Sequence, residues 1–253
     1  VILIVIAQQK GGVGKTTTAA NVAVLLARHG ARVLVVDTDP QFGLTRQLGL
    51  EGYSLGVNLV DVLARRAAAG DAIVPGVHGL DVIPAARELA GIEMSLVGEL
   101  GRELFLRDAL EPAVSGYEQV VIDTPPNLGL RTINALVCDD RELAPVSAED
   151  EASLHGILEL RQTVARLSER LAISRPELVA LLTRWQRHRI SSRSAEDHLA
   201  AAGLAAVGRI PSRSALIARA AARRVPLALS EPDSSPALAY RHLARLLEEA
   251  NAR

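Results

Sequence analysis

The stretch "QQKGGVGKTT", residues 8–17, decides how this chain is read. An apolar run, "VILIVIA" (1–7), precedes it. Residues 16–29 follow with helical periodicity and place Ala20, Ala23, Val24 and Ala27 on one face. A strand, a glycine-rich turn and a helix in that order make a phosphate site. Glycine tolerates the tight, positive-φ turn, so the backbone N–H groups of Gly11, Gly12, Val13 and Gly14 can converge on an anion. The helix start adds unpaired donors and the positive end of a dipole. Lys15 is placed to reach β- and γ-phosphates, and the hydroxyl of Thr16, with Thr17 beside it, can ligate Mg²⁺. The pattern G-x-x-x-x-G-K-[ST] is broken at its first position, where Gln9 stands, and Lys10 precedes the double glycine instead. Lys10 and Lys15 are the only lysines among 28 Lys and Arg residues.

A chain of 253 residues can bury a full α/β core, and residues 1–253 read as a single domain. Apolar residues make up 49% and aromatics 2%, so the core is built from Val, Leu, Ile and Ala. The lone cysteine, Cys138, excludes internal disulfides and a cysteine metal site, and reads as a small buried apolar residue. "VILIVIA" is too short to span a membrane and lacks a basic flank, so the expectation is a soluble, cytoplasmic protein. Further short runs, "RVLVVD" (32–37), "LDVIP" (80–84), "QVVID" (119–123), "ELAPV" (142–146), "ELVALLT" (177–183) and "AAVGRI" (205–210), read as strands. They are continuously apolar rather than alternating, as parallel strands covered on both faces are. Residues 148–172 read as a helix with Leu154, Ile157, Leu158, Val164, Leu167 and Leu171 on one face, and Ser147 with Asp150 resembles a helix-start cap. "SEPDSSP" (230–236) is a loop before a final helix. The β-α-β alternation predicts a doubly wound, mostly parallel sheet with helices on both faces.

"KGGVGKTT" (10–17) resembles the deviant Walker A motif of the ParA/MinD family of P-loop ATPases. "VVDTDPQ" (35–41) is similar to the second acidic motif of that family, and "VVIDTPPNLGLRTINAL" (120–136) to its Walker B region and the helix after it. The resemblance covers most of residues 1–160. It implies ATP and Mg²⁺ as cofactors, slow Mg²⁺-dependent hydrolysis and an ATP-bound sandwich homodimer. It implies that Lys10 crosses the dimer interface to the partner's nucleotide. A compact, flexible point charge suits both lysine positions better than a planar guanidinium. By the same resemblance Asp123 holds the Mg²⁺ hydration shell, Asp39 orients the attacking water and Asp37 supports the metal site. "QFGLTRQLG" (41–49) departs from the glycine and asparagine usual after "DPQ".

Residues 184–224 hold nine arginines against Glu196 and Asp197, a local charge of +7 in a chain whose net charge is −1. Such asymmetry suggests an anionic partner, and the resemblance implies DNA bound without sequence preference. The candidate contacts are Arg187, Arg189, Arg213, Arg219, Arg223 and Arg224, with Arg213 and Arg224 foremost. Trp185 reads as a packing residue. The resemblance implies a ParB-type adaptor that stimulates hydrolysis, nucleoid association, and segregation of plasmid or chromosomal DNA. The alternative, the same ATPase positioning a protein compartment or receptor cluster, stays open. The final helix carries Leu238, Leu243, Leu246 and Leu247 and reads as packed on the core, not as a membrane-binding tail. Because the first strand starts at residue 1, a helix-turn-helix regulatory domain ahead of it is not expected.

Overall fold

The computed structural model describes residues 1–50, 56–138 and 140–251. Each apolar run read as a strand is one. In chain order the elements are β1 (Ile2–Ile6), α1 (Lys15–Arg28), β2 (Val33–Asp37), α2 (Gly43–Gln47), α3 (Leu59–Leu63), β3 (Val74–Val77), β4 (Leu80–Ile83), α4 (Leu89–Ser95), α5 (Phe105–Val114), β5 (Gln119–Asp123) and α6 (Leu130–Cys138), then β6 (Arg141–Ser147), α7 (Glu151–Leu171), β7 (Glu177–Trp185), α8 (Ile190–Ala201), β8 (Ala206–Pro211), α9 (Ser214–Arg223), α10 (Leu227–Ser230) and α11 (Ser235–Asn251).

The strands form one sheet in the order β3-β4-β2-β5-β1-β6-β7-β8. Every neighbouring pair is parallel except β3 with β4. Strand β3 was not among the expected strands. Its Pro75 and Gly76 hide the strand pattern, and a two-residue turn through His78 (φ 54°) and Gly79 (φ 84°) closes the hairpin.

Side chains of the central strands alternate between two cores. Val5, Leu34, Val36, Val120, Ile122, Ala144 and Leu182 face one, with Leu106, Leu136, Ile157 and Leu160 of α5, α6 and α7 above them. Ile4, Ile6, Val33, Val35, Val121, Leu143 and Leu181 face the other, under α1 and α11. Both sheet faces are therefore dry, which explains the unbroken apolar runs.

Helix α1 is buried well beyond the one expected face, from Thr18 through Leu26, because α11 covers the side turned away from the sheet. The buried stripe of α11 is Ala237, Tyr240, Leu243, Ala244 and Leu247. Leu243 and Leu247 lie where the sequence puts them, but Leu238 is 47% exposed on another face. Helix α7 starts at Glu151, later than expected. Asp150 alone caps it, accepting from the Ala152 N–H at 3.0 Å, while the Ser147 hydroxyl oxygen accepts from the Glu149 N–H. Cys138 is buried, as expected. Among the described residues no helix is long and apolar enough to cross a membrane.

Among the described residues one acid lies in the core outside any site. Glu142 of β6 is fully buried, and neither carboxyl oxygen has a hydrogen-bond partner among the described residues. Burial raises its pKa to about 8. The unfolded chain loses this proton near the ordinary value of 4.5, so folding stability falls as pH rises from there and levels off above about 8. Glu142→Met should stabilise the protein, and its advantage at pH 8 should exceed that at pH 4.5 by on the order of 3 kcal/mol. Urea denaturation of both proteins at the two pH values measures the difference.

Candidate nucleotide site and arginine face

The turn after β1 and the first residues of α1 form a cradle. Gly12 (φ 75°) and Gly14 (φ 98°) sit in the left-handed region that a side chain disfavours, and Gly14 is the N-cap of α1. Lys15 is nearly buried beneath the loop, and its Nζ donates to the Lys10 carbonyl at 3.3 Å. Burial lowers its pKa, and the charges of Asp123 and Asp39 oppose that shift.

Sheet register brings the acids to this loop. Asp123 ends β5 level with Ile6 of β1 on one side and Asp37 of β2 on the other. The Thr16 hydroxyl donates to Asp123 Oδ2 at 2.7 Å. Asp123 Oδ1 is buried and has no hydrogen-bond partner among the described residues. Burial first, and then the neighbouring Asp37 charge, raise the Asp123 pKa well above the usual carboxylate range. A carboxylate in that setting has one oxygen free for a cation and an electrostatic reason to want one.

The four residues expected at the metal lie close together but have different partners. Thr16 and Asp123 meet, but Asp37 turns into the segment that follows β2. Its Oδ2 accepts from both the N–H and the hydroxyl of Thr45 at 2.8 Å, and its Oδ1 accepts from the Asp39 N–H at 3.1 Å. Burial, only partly offset by these bonds, raises its pKa to about 6. Asp39 is half-buried on the cavity wall, where its Oδ1 also accepts from the Gln41 N–H at 2.9 Å in a local turn. Among the described residues no three His, Cys, Asp or Glu side chains form a metal cage. Mg²⁺ bound beside phosphates takes only one or two protein ligands, and Thr16 and Asp123 are the adjacent pair of oxygen donors at this loop.

The cavity at this loop has a volume of about 670 Å³. Besides the loop itself its walls include Pro126, Glu149, Thr183, Arg184, Ile210, Pro211, Arg213, Ile217 and Tyr240. Apart from Pro126, which lies in the stretch similar to the Walker B region, no local motif marks these as nucleotide-site residues. Two of them hold the loop from the far side. The Thr183 hydroxyl donates to the Val13 carbonyl at 2.8 Å, and the exposed Arg184 donates to the Gly12 carbonyl at 3.0 Å. Helix α7 also closes on the loop, since Gln8 Nε2 donates to the Ser153 carbonyl at 3.0 Å and a Cβ at Gly156 would collide with the Gln8 side chain.

The six candidate DNA arginines are all exposed, and they differ in their partners. Arg189 pairs with Glu149, and Arg219 and Arg223 share Glu231 at 3.5 and 3.6 Å. Arg187, in the turn after β7, and Arg213, the N-cap of α9, make no ion pair among the described residues. Arg224 is the left-handed C-cap of α9, with φ 56°. Trp185 packs as expected, donating from Nε1 to Glu196 at 2.8 Å beneath the Arg209 guanidinium.

The anchoring of Asp37 yields a test. Thr45→Val removes the hydroxyl that Asp37 and the Ala85 N–H both use, and should cost about 1–3 kcal/mol of stability by urea denaturation. Thr45→Ser should restore most of it.

A family model described as an AAA domain matches residues 1–178. The chromosome partitioning protein ParA of Caulobacter vibrioides is 37% identical over 250 residues, covering 96% of this chain and 92% of its own. The sporulation initiation inhibitor protein Soj of Bacillus subtilis is 45% identical over 170 residues, 67% of each chain. Among solved structures, a Mycobacterium smegmatis protein described as cobyrinic acid a,c-diamide synthase, with bound ATP analog and magnesium, is similar with a TM-score of 0.84 and 30% identity, covering 99% of this chain and 96% of that one. With the strand-loop-helix cradle, the carboxylates at its rim and these relatives in agreement, the chain belongs to the ParA family of partition ATPases.

Proposed function

We propose that residues 1–253 act as one Mg²⁺-dependent ATPase domain that dimerises face to face on ATP and then binds DNA without sequence preference. A ParB-type adaptor stimulates hydrolysis, the dimer leaves the DNA, and the cycle segregates plasmid or chromosomal DNA over the nucleoid in the cytoplasm. One observation carries the reading: Thr16 is hydrogen-bonded to a buried Asp123 whose second oxygen has no partner among the described residues, directly beside Lys15 and the glycine loop.

In this reading the N–H groups of Gly11 to Gly14 bind phosphate oxygens, and Lys15 neutralises the β- and γ-phosphates. Thr16 and Asp123 hold Mg²⁺, which when bound offsets charge on the phosphate oxygens. Asp39 orients the attacking water. Asp37 anchors Asp39 and the start of α2 from beneath, a positioning role rather than metal support, and its bonds to Thr45 and Asp39 support this reading. Lys10 reaches the partner's nucleotide, because Lys15 already serves its own. Arg213 lines the same cavity as the glycine loop. That continuity supports a route by which nucleotide state reaches the arginine face.

Lys15→Ala should abolish most ATP affinity in calorimetry, and Asp39→Ala should bind ATP but not turn it over. Unchanged affinity in the first, or wild-type turnover in the second, removes the corresponding role. Fluorescence anisotropy with random-sequence duplex DNA should show tight binding only with ATP, weakening steeply with salt. Removing charge at Arg187 and Arg213 should weaken that binding and reduce the salt slope by about 1 for each phosphate no longer neutralised, with ATP dimerisation retained. Equal affinity with ATP, with ADP and without nucleotide would contradict the switch.

A further inference from the structure

Two basic side chains that this function sends to separate polyanions are held in the free subunit by neighbouring acids. Lys10 Nζ lies 3.5 Å from Asp150 Oδ2. Arg189 donates to Glu149 Oε1, which also accepts from Gln186 Nε2 at 3.0 Å. Asp150 keeps its other oxygen on the Ala152 N–H as the cap of α7. Glu149 is also part of the cavity wall next to the glycine loop. The acids belong to one rigid corner, because Gln8 ties α7 to the loop and Thr183 and Arg184 tie the end of β7 to Val13 and Gly12.

We propose that Glu149 and Asp150 form an acidic clasp that competes with the partner's nucleotide for Lys10 and with DNA for Arg189. The clasp rests on the function proposed above and adds its regulation. In the free subunit both cations are neutralised internally, so dimerisation must open one pair and DNA engagement the other. Both pairs are partly exposed, with side-chain exposures of 45% and 35% for Lys10 and Asp150 and 53% and 26% for Arg189 and Glu149. Exposed pairs of this kind are weak and screened by salt. The clasp therefore sets a threshold that a phosphate cluster overcomes, not a block.

The chain has only two lysines, so lysine-selective ¹³C labelling resolves exposed Lys10 from buried Lys15. In nucleotide-free protein, Asp150→Asn should move the Lys10 signal and leave Lys15 in place. Asparagine preserves the cap, so α7 stays folded. An unmoved Lys10 signal overturns the clasp at that pair. In the Asp39→Ala background with ATP, Asp150→Asn should lower the dimer dissociation constant about ten-fold, or about three-fold for each of the two pairs opened. Glu149→Gln should tighten duplex DNA binding by the same factor. Glu151→Gln, an exposed acid one residue further on, should change either by less than about two-fold. An equal gain from Glu151→Gln shows a general charge effect and overturns the clasp. Unshifted variants beside an active parent overturn it as well. A parent that neither dimerises with ATP nor binds DNA overturns the functional reading, and the proposed competition with it.

Discussion

The hydrogen bond from Thr16 to Asp123 spans 107 positions of sequence, and the rest of the site depends on the register that allows it. Three adjacent parallel strands end at one level, with Ile6, Asp123 and Asp37 as cross-strand neighbours. Two threonines stitch those ends together. Thr38 donates both its N–H and its hydroxyl to the Asp123 carbonyl, and the Thr124 hydroxyl donates to the Ile6 carbonyl. A one-residue slip of β5 would turn Asp123 to the opposite sheet face and take it away from Thr16.

This convergence works against stability. Burial and then the Asp37 charge raise the pKa of Asp123, burial and the Asp39 charge raise that of Asp37, and burial lowers that of the lysine close by. Each group is charged only at a desolvation cost. Asp37 meets that cost with three donated hydrogen bonds and so becomes a structural anchor. Asp123 meets it with one from Thr16, and its remaining oxygen is what makes it the metal candidate. Residue type does not separate the two acids; the donors around each one do.

The arginine-rich segment obeys the same logic at the surface. Its net charge concealed a division of labour. Arg184 serves the glycine loop, Arg209 packs on Trp185 and Glu196, and Arg189, Arg219 and Arg223 meet acids from elsewhere in the chain. Arg187 and Arg213 make no such ion pair among the described residues, and Arg213 stands at the nucleotide cavity itself.

What the sequence determined by itself was local. Unbroken apolar runs marked seven of the eight strands, the glycine spacing with Lys15 and Thr16 marked the phosphate cradle, and Asp37 and Asp123 were visible as acids closing apolar strands. These signals arise from residues a few positions apart, whose backbone conformation and periodicity follow from their own chemistry. Strand β3 escaped because Pro75 and Gly76 break that local signal. The outward turn of Leu238, the anchoring of Asp37 by Thr45, the support of the loop by Thr183 and Arg184, and the pairing of Lys10 with Asp150 were decided only by tertiary structure. Each depends on which strands lie side by side and in what register. Packing across both faces of the whole sheet sets that, and no short stretch of sequence encodes it.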